Sequence, residues 1–228
     1  IAIVWKWNLI KTTWVEISNG PIDAGSTNDS EFKLIGSKIF VQDGHGQTHR
    51  VSMIDTKHTE LGWIRLVPSN RDGSYPYMLD HGGILYVFDL VKKYFEWYDE
   101  ELNHWTFFKP ENWPDSLDCK AMLLSHDNLI YASCLDYTNP TKKEFYSFDP
   151  ATLTWKRLAN YLLRPFDHSL LSIGNSLVKM ICLQSMEIYD IEEDKTWKRI
   201  ETSHTVVVSS PCIVNKSILG KGQEYEGK

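Results

Sequence analysis

Residues 146–158 read Tyr-Ser-Phe-Asp-Pro-Ala-Thr-Leu-Thr-Trp-Lys-Arg-Leu, and this stretch decides the fold. An aromatic and apolar run ends at Phe148-Asp149. A polar turn, Pro150-Ala151-Thr152, follows. Trp155 then opens a second run that continues to Leu158. An Asp at a strand end can accept bonds from backbone N–H groups two residues on and so close a turn. A Trp next to it supplies a large apolar area for a neighbouring sheet. The stretch therefore predicts a β-hairpin with an aromatic anchor.

The same four landmarks recur along the chain. Tryptophans stand at 14, 63, 105, 155 and 197, spaced by 49, 42, 50 and 42 residues. Asn8, Asp55, Asp99, Asp149 and Asp190 precede them by six to eight residues, each after an apolar or aromatic residue: Trp7, Ile54, Tyr98, Phe148 and Tyr189. Three residues past each Trp lies Ile17, Leu66, Phe108, Leu158 or Ile200. Upstream of four of these units lies a further hairpin pattern. Residues 32–41 turn at Gly36-Ser37-Lys38, 77–88 at Gly82-Gly83, 121–133 at His126-Asp127-Asn128, and 169–181 at Gly174-Asn175-Ser176. Apolar run, turn cluster and apolar run are the hairpin signature. The unit is thus four antiparallel strands, a to d, in 40 to 50 residues, which is the size of a propeller blade.

The expected organisation is one all-β propeller domain over residues 1–228. Full units span 32–67, 77–109, 120–159 and 168–201. Residues 1–18 hold only a c–d half and 211–222 only an a–b half, with a turn at Asn215-Lys216-Ser217. Paired, the two halves make a composite blade and close about five blades with no open edge. The other arrangement is part of a larger ring, since Ile1 reads as lying within a strand.

The composition agrees with a repeat. The chain has 228 residues, 42% hydrophobic and 24% charged, with 9 Trp, 11 Tyr and 9 Phe. Five of those tryptophans are one repeated position. The net charge of −6 argues against a nucleic-acid surface. No apolar run is long enough for a membrane helix. Cys119, Cys134, Cys182 and Cys212 form no CxxC and no zinc spacing; their even number allows two disulfides, but three of them sit in apolar strand-like runs and read as free buried thiols of a reduced, cytoplasmic protein. Acceptor patterns at Asn28-Asp29-Ser30 and Asn215-Lys216-Ser217 leave secretion as the alternative.

No catalytic motif stands out. Phosphate-binding Gly loops, HExxH and GxSxG are missing. His45 and His49 are four apart, but two glycines make their surroundings a loop. His81 and His126 share an a–b turn position and read as turn formers. Catalytic residues, metal ligands and cofactors are therefore not expected. In a meander the b–c and d–a connections share one face, and these are the long ones: 42–50, 135–143, 18–31, 67–76, 109–119 and 159–168. Long loops on a rigid scaffold suggest recognition. They carry residues typical of interface anchors, namely Arg50, Arg71, Tyr75, Trp113, Tyr137 and Arg164. Trp113, set between Pro110 and Pro114, is read as a candidate for exposure.

Phe148-Asp149 to Trp155, Tyr98-Asp99 to Trp105 and Tyr189-Asp190 to Trp197 resemble the kelch repeat. Residues 146–158 and 188–200 are also similar to F-box-associated propeller repeats. The array is degenerate. Where kelch blades usually end strand b with Gly-Gly, this chain has Asp43-Gly44, Asp89-Leu90, Ser133-Cys134 and Ile181-Cys182. No Trp-Asp dipeptide occurs, and Ser147 to Trp155 differs from a sialidase Asp-box by one residue and a missing Gly. The resemblance implies a protein-interaction module, such as a scaffold, an actin binder or the substrate-recognition part of a ubiquitin-ligase adaptor with a BTB or F-box domain elsewhere. The alternative from another class is a secreted carbohydrate-active or oxidase-type propeller. Cys134 and Tyr137 are near in sequence, but nearness gives no oxidase cross-link.

Overall fold

A computed structural model describes residues 3–8, 13–19, 31–42, 50–69, 76–117, 121–134, 143–162, 169–182, 185–192 and 195–201. Strands β1 (Ile3–Asn8) and β2 (Thr13–Asn19) pair as a hairpin. Four meanders of four strands follow. The first contains β3 (Glu31–Ile35), β4 (Lys38–Gln42), β5 (Val51–Asp55) and β6 (Ile64–Arg65). The second contains β7 (Pro76–His81), β8 (Ile84–Asp89), β9 (Tyr94–Asp99) and β10 (His104–Phe108). The third contains β11 (Met122–His126), β12 (Leu129–Ser133), β13 (Phe145–Asp149) and β14 (Thr154–Arg157). The fourth contains β15 (Ser169–Ile173), β16 (Ser176–Cys182), β17 (Ser185–Asp190) and β18 (Trp197–Glu201). Every pairing is antiparallel, and the one helical element among the described residues is a 3-10 turn, Thr59–Leu61. The chain is all-β, built of four-stranded antiparallel sheets as in propeller blades. The expected a–b half at 211–222 lies outside the described residues.

The register explains the sequence landmarks. The residue before the strand-end Asp or Asn stands directly opposite the Trp: Trp7 pairs with Trp14, Tyr98 with Trp105, Phe148 with Trp155 and Tyr189 with Trp197. Cross-strand aromatic pairs are favourable units of sheet stability. Their ring centroids are 5.1, 4.8 and 5.3 Å apart in the last three sheets. The carboxylates close the turns as expected. The Asp55, Asp149 and Asp190 Oδ1 atoms accept N–H bonds from Lys57, Ala151 and Glu192 at 2.9 Å, and Asp99 accepts from Leu102 at 3.0 Å. The Lys57 N–H, with the Ser37 hydroxyl, holds the Asp55 carboxyl below the usual range.

The a–b turns are tight. Gly82 and Gly83 both have positive φ, as a two-residue hairpin turn of the primed type requires. Asp127 takes the same left-handed region at the equivalent turn. A second set was not expected from the sequence. Asn103, Leu153 and Lys195 each lie two residues before a strand-d Trp, and all three have φ near +50°.

Sheets meet face to face through three apolar seams. Phe40, Val51, Met53 and Leu66 of the first sheet region pack on Met78, Leu85, Val87, Tyr98 and Trp105 of the second. Phe88, Phe95, Leu123, Ile130, Phe148 and Trp155 fill the next seam. Tyr131, Phe145, Leu177, Tyr189 and Trp197 fill the third. Trp105, Trp155 and Trp197 therefore each face the preceding sheet. The first strands touch in sequence, β3 with β7, β7 with β11 and β11 with β15, so they form the common inner side.

Candidate functional site

The strand-d tryptophans tie sheets together by more than apolar contact. Trp105 Nε1 donates to the Val67 carbonyl at 2.9 Å, and Trp197 Nε1 donates to the Ala159 carbonyl at 3.1 Å. Both acceptors lie four residues past the Trp unit of the preceding sheet, just where a d–a connection begins. Trp155 departs from this rule. Its Nε1 is buried with no hydrogen-bond partner among the described residues. Asn112 instead clamps its backbone: Nδ2 donates to Trp155 O at 2.9 Å, and Trp155 N donates to Oδ1 at 3.2 Å.

Trp113 corrects the expectation of an exposed loop residue. It is 9% exposed, meets Trp155 edge-on at 5.3 Å, and donates Nε1–H to Leu117 O at 3.4 Å. A bare indole gains more from filling the seam below the connection than from standing in water. Tyr161 does the same one connection later. It is buried, and its hydroxyl donates to the Cys134 carbonyl. Burial pushes its phenol pKa well up, and the nearby Cys134 adds to this. The Cys134 side chain is buried, and its Sγ accepts from the Ser116 hydroxyl at 3.9 Å.

Of the other expected loop-face residues, Arg50 is exposed at the entry to β5. It ends the b–c connection of the first sheet, whereas Trp113 lies in the d–a connection between the second and third sheets. Arg71, Tyr75, Tyr137 and Arg164 lie outside the described residues. So do His45, His49, Cys119 and Cys212. The same face carries the Arg157–Glu144 pair at 3.1 Å and half-exposed Leu162, whose carbonyl accepts from Lys143 Nζ. No cluster of three or more His, Cys, Asp or Glu suited to a metal occurs among the described residues.

The opposite face, formed by a–b and c–d turns, holds a cleft of about 650 Å³. Phe40 of the first sheet lines one side, and Gly83, Ile84, Leu85, Trp97 and Tyr98 of the second line the other. Asp99, Glu100 and Glu101 stand at the c–d turn of the same lining. Lys38, at the start of β4, donates across to Glu100. Desolvation raises the Tyr98 phenol pKa, and the charges of Glu100 and Asp99 raise it further. In the sequence Asp99 reads as a turn former, and no motif marks Glu100 or Glu101.

No family model matches the chain, and no curated protein matches its sequence. A search of solved structures finds YjhT, a kelch-type β-propeller, at TM-score 0.55 and 12% identity. The likeness covers 77% of this chain and 65% of that one, so this chain spans less than two thirds of YjhT. At this identity the fold is what the two share.

Proposed function

We propose that this chain is a protein-interaction module, with the b–c and d–a loop face as its recognition surface. The anchoring of the d–a connections carries this reading. Trp105 and Trp197 bond to the first residues of two of them, and Trp113 and Tyr161 plug two from beneath. Loops held on a rigid base suit recognition, because less freedom is lost on binding. Exposed Arg50 belongs to this face, and the proposed anchors Arg71, Tyr75, Tyr137 and Arg164 extend it. A cytoplasmic ubiquitin-ligase adaptor, acting with a companion BTB or F-box domain, is the narrower role suggested by the kelch-like repeat.

Affinity purification followed by mass spectrometry tests the surface. The triple variant Arg50→Glu, Arg71→Glu, Arg164→Glu is expected to lose partners while its thermal unfolding stays within a few degrees of the parent. Recovery of the same partners by the triple variant removes this face from recognition.

A further inference from the structure

The cleft on the turn face is absorbed neither by the fold nor by the loop-face reading. Two features define it. Its floor is apolar and aromatic, made by Phe40, Leu85, Ile84, Trp97 and Tyr98. Its rim is acidic, with Asp99, Glu100 and Glu101 together on one turn. The chain already places one cation there. Lys38 comes from the neighbouring sheet and donates to Glu100, with its side chain 27% exposed and that of Glu100 50% exposed. An ion pair this open to water is weak and readily exchanged. The other two carboxylates leave the rim with excess negative charge after Lys38 is counted. Long cationic side chains lay their methylene stems on apolar surface and keep the charged head at its edge. An ammonium or guanidinium near aromatic rings gains further attraction.

We infer that this cleft receives a lysine or arginine side chain, flanked by an apolar residue, from a protein partner, and that Lys38 occupies the cation position until displaced. Charge complementarity and the cleft's apolar floor select this occupant. The site lies on the face opposite the loops and is independent of the loop-face reading.

A random peptide-display library selected against the full chain tests this, followed by titration of the best peptide by calorimetry. The wild type is expected to enrich peptides with Arg or Lys beside an apolar residue. Glu100→Gln with Glu101→Gln weakens the best peptide by a factor of about 5 to 25, at up to about fivefold for each exposed charge. Lys38→Ala removes the internal competitor and strengthens binding about two- to fivefold. Arg50→Glu, on the other face, leaves the affinity unchanged. Melting curves confirm that each variant folds; all the altered side chains are at least partly exposed. Selection of neutral or acidic peptides overturns the inference. So does basic-peptide binding that survives the double glutamine variant, or a Lys38→Ala affinity equal to or below wild type. A dimer in sedimentation that the double variant dissolves assigns the cleft to a second copy of this chain and overturns it as well.

Discussion

Trp105, Trp155 and Trp197 hold one position in three sheets, yet their indole N–H groups have different fates. Two donate to carbonyls of the preceding connection, and one has no partner among the described residues. A Trp→Phe series separates these cases. Trp105→Phe and Trp197→Phe each leave a carbonyl without its donor, which costs about 1–3 kcal/mol beyond the lost ring area. Trp155→Phe removes an unsatisfied buried donor and is expected to cost less than either. Trp155→Ala loses the ring itself and is expected to cost about 3–5 kcal/mol. Urea midpoints at constant slope measure the order, and a Trp155→Phe cost equal to that of Trp105→Phe contradicts it. The apolar–Asp–Trp pattern was legible because the two aromatic residues face each other across one hairpin, so their spacing is fixed by pairing. The burial of Trp113 was not legible. Flanking prolines mark a loop but do not tell whether its indole points out or into the seam.

At the scale of the element, the c–d turns of the second, third and fourth sheets are closed by an Asp carboxylate at one end and a left-handed residue at the other. The carboxylate could be read from sequence, since Asp is a usual turn acceptor. The left-handed position could not, because Asn103, Leu153 and Lys195 share no chemistry and none is Gly. Left-handed backbone costs about 1–2 kcal/mol for most residues, and Asn tolerates it best after Gly. Asn103 already uses this tolerance. Lys195, exposed at the equivalent turn, does not. Lys195→Asn is therefore expected to raise stability by up to about 1 kcal/mol, read as a higher urea midpoint. A lower midpoint shows that the Lys195 side chain contributes more than its backbone strain costs.

Across the whole molecule, polar bonds cross the seams near the inner strands. The Tyr77 hydroxyl donates to Leu123 O at 3.2 Å, Met78 N donates to Glu31 Oε2 at 2.7 Å, and His81 Nδ1 meets Ser125 Oγ at 2.9 Å. Burial pushes the Tyr77 phenol up to about 12. His81 is held below its ordinary 6.5 by burial, against the opposing pull of Asp80 and Asp149. Its neutral form is thus favoured in the folded state. Its contribution is full above pH 6.5 and falls as pH drops through the window below, because the unfolded chain then binds the extra proton. His81→Gln is expected to flatten part of the loss in melting temperature between about pH 7 and pH 5; an unchanged slope takes His81 out of that loss.

The propeller-like architecture was legible at this scale because each sheet repeats one local pattern. The turn-face cleft was not. Phe40 and Glu100 belong to different units, and only the packing of sheets brings them to one opening.

Hydrogen exchange on the chain, alone and with a captured partner, tests recognition by the loop face most directly. Slower exchange is expected at Arg50 and through 67–76, 109–119 and 159–168, with the seam strands unchanged. An unchanged loop face in the partner-bound chain contradicts it.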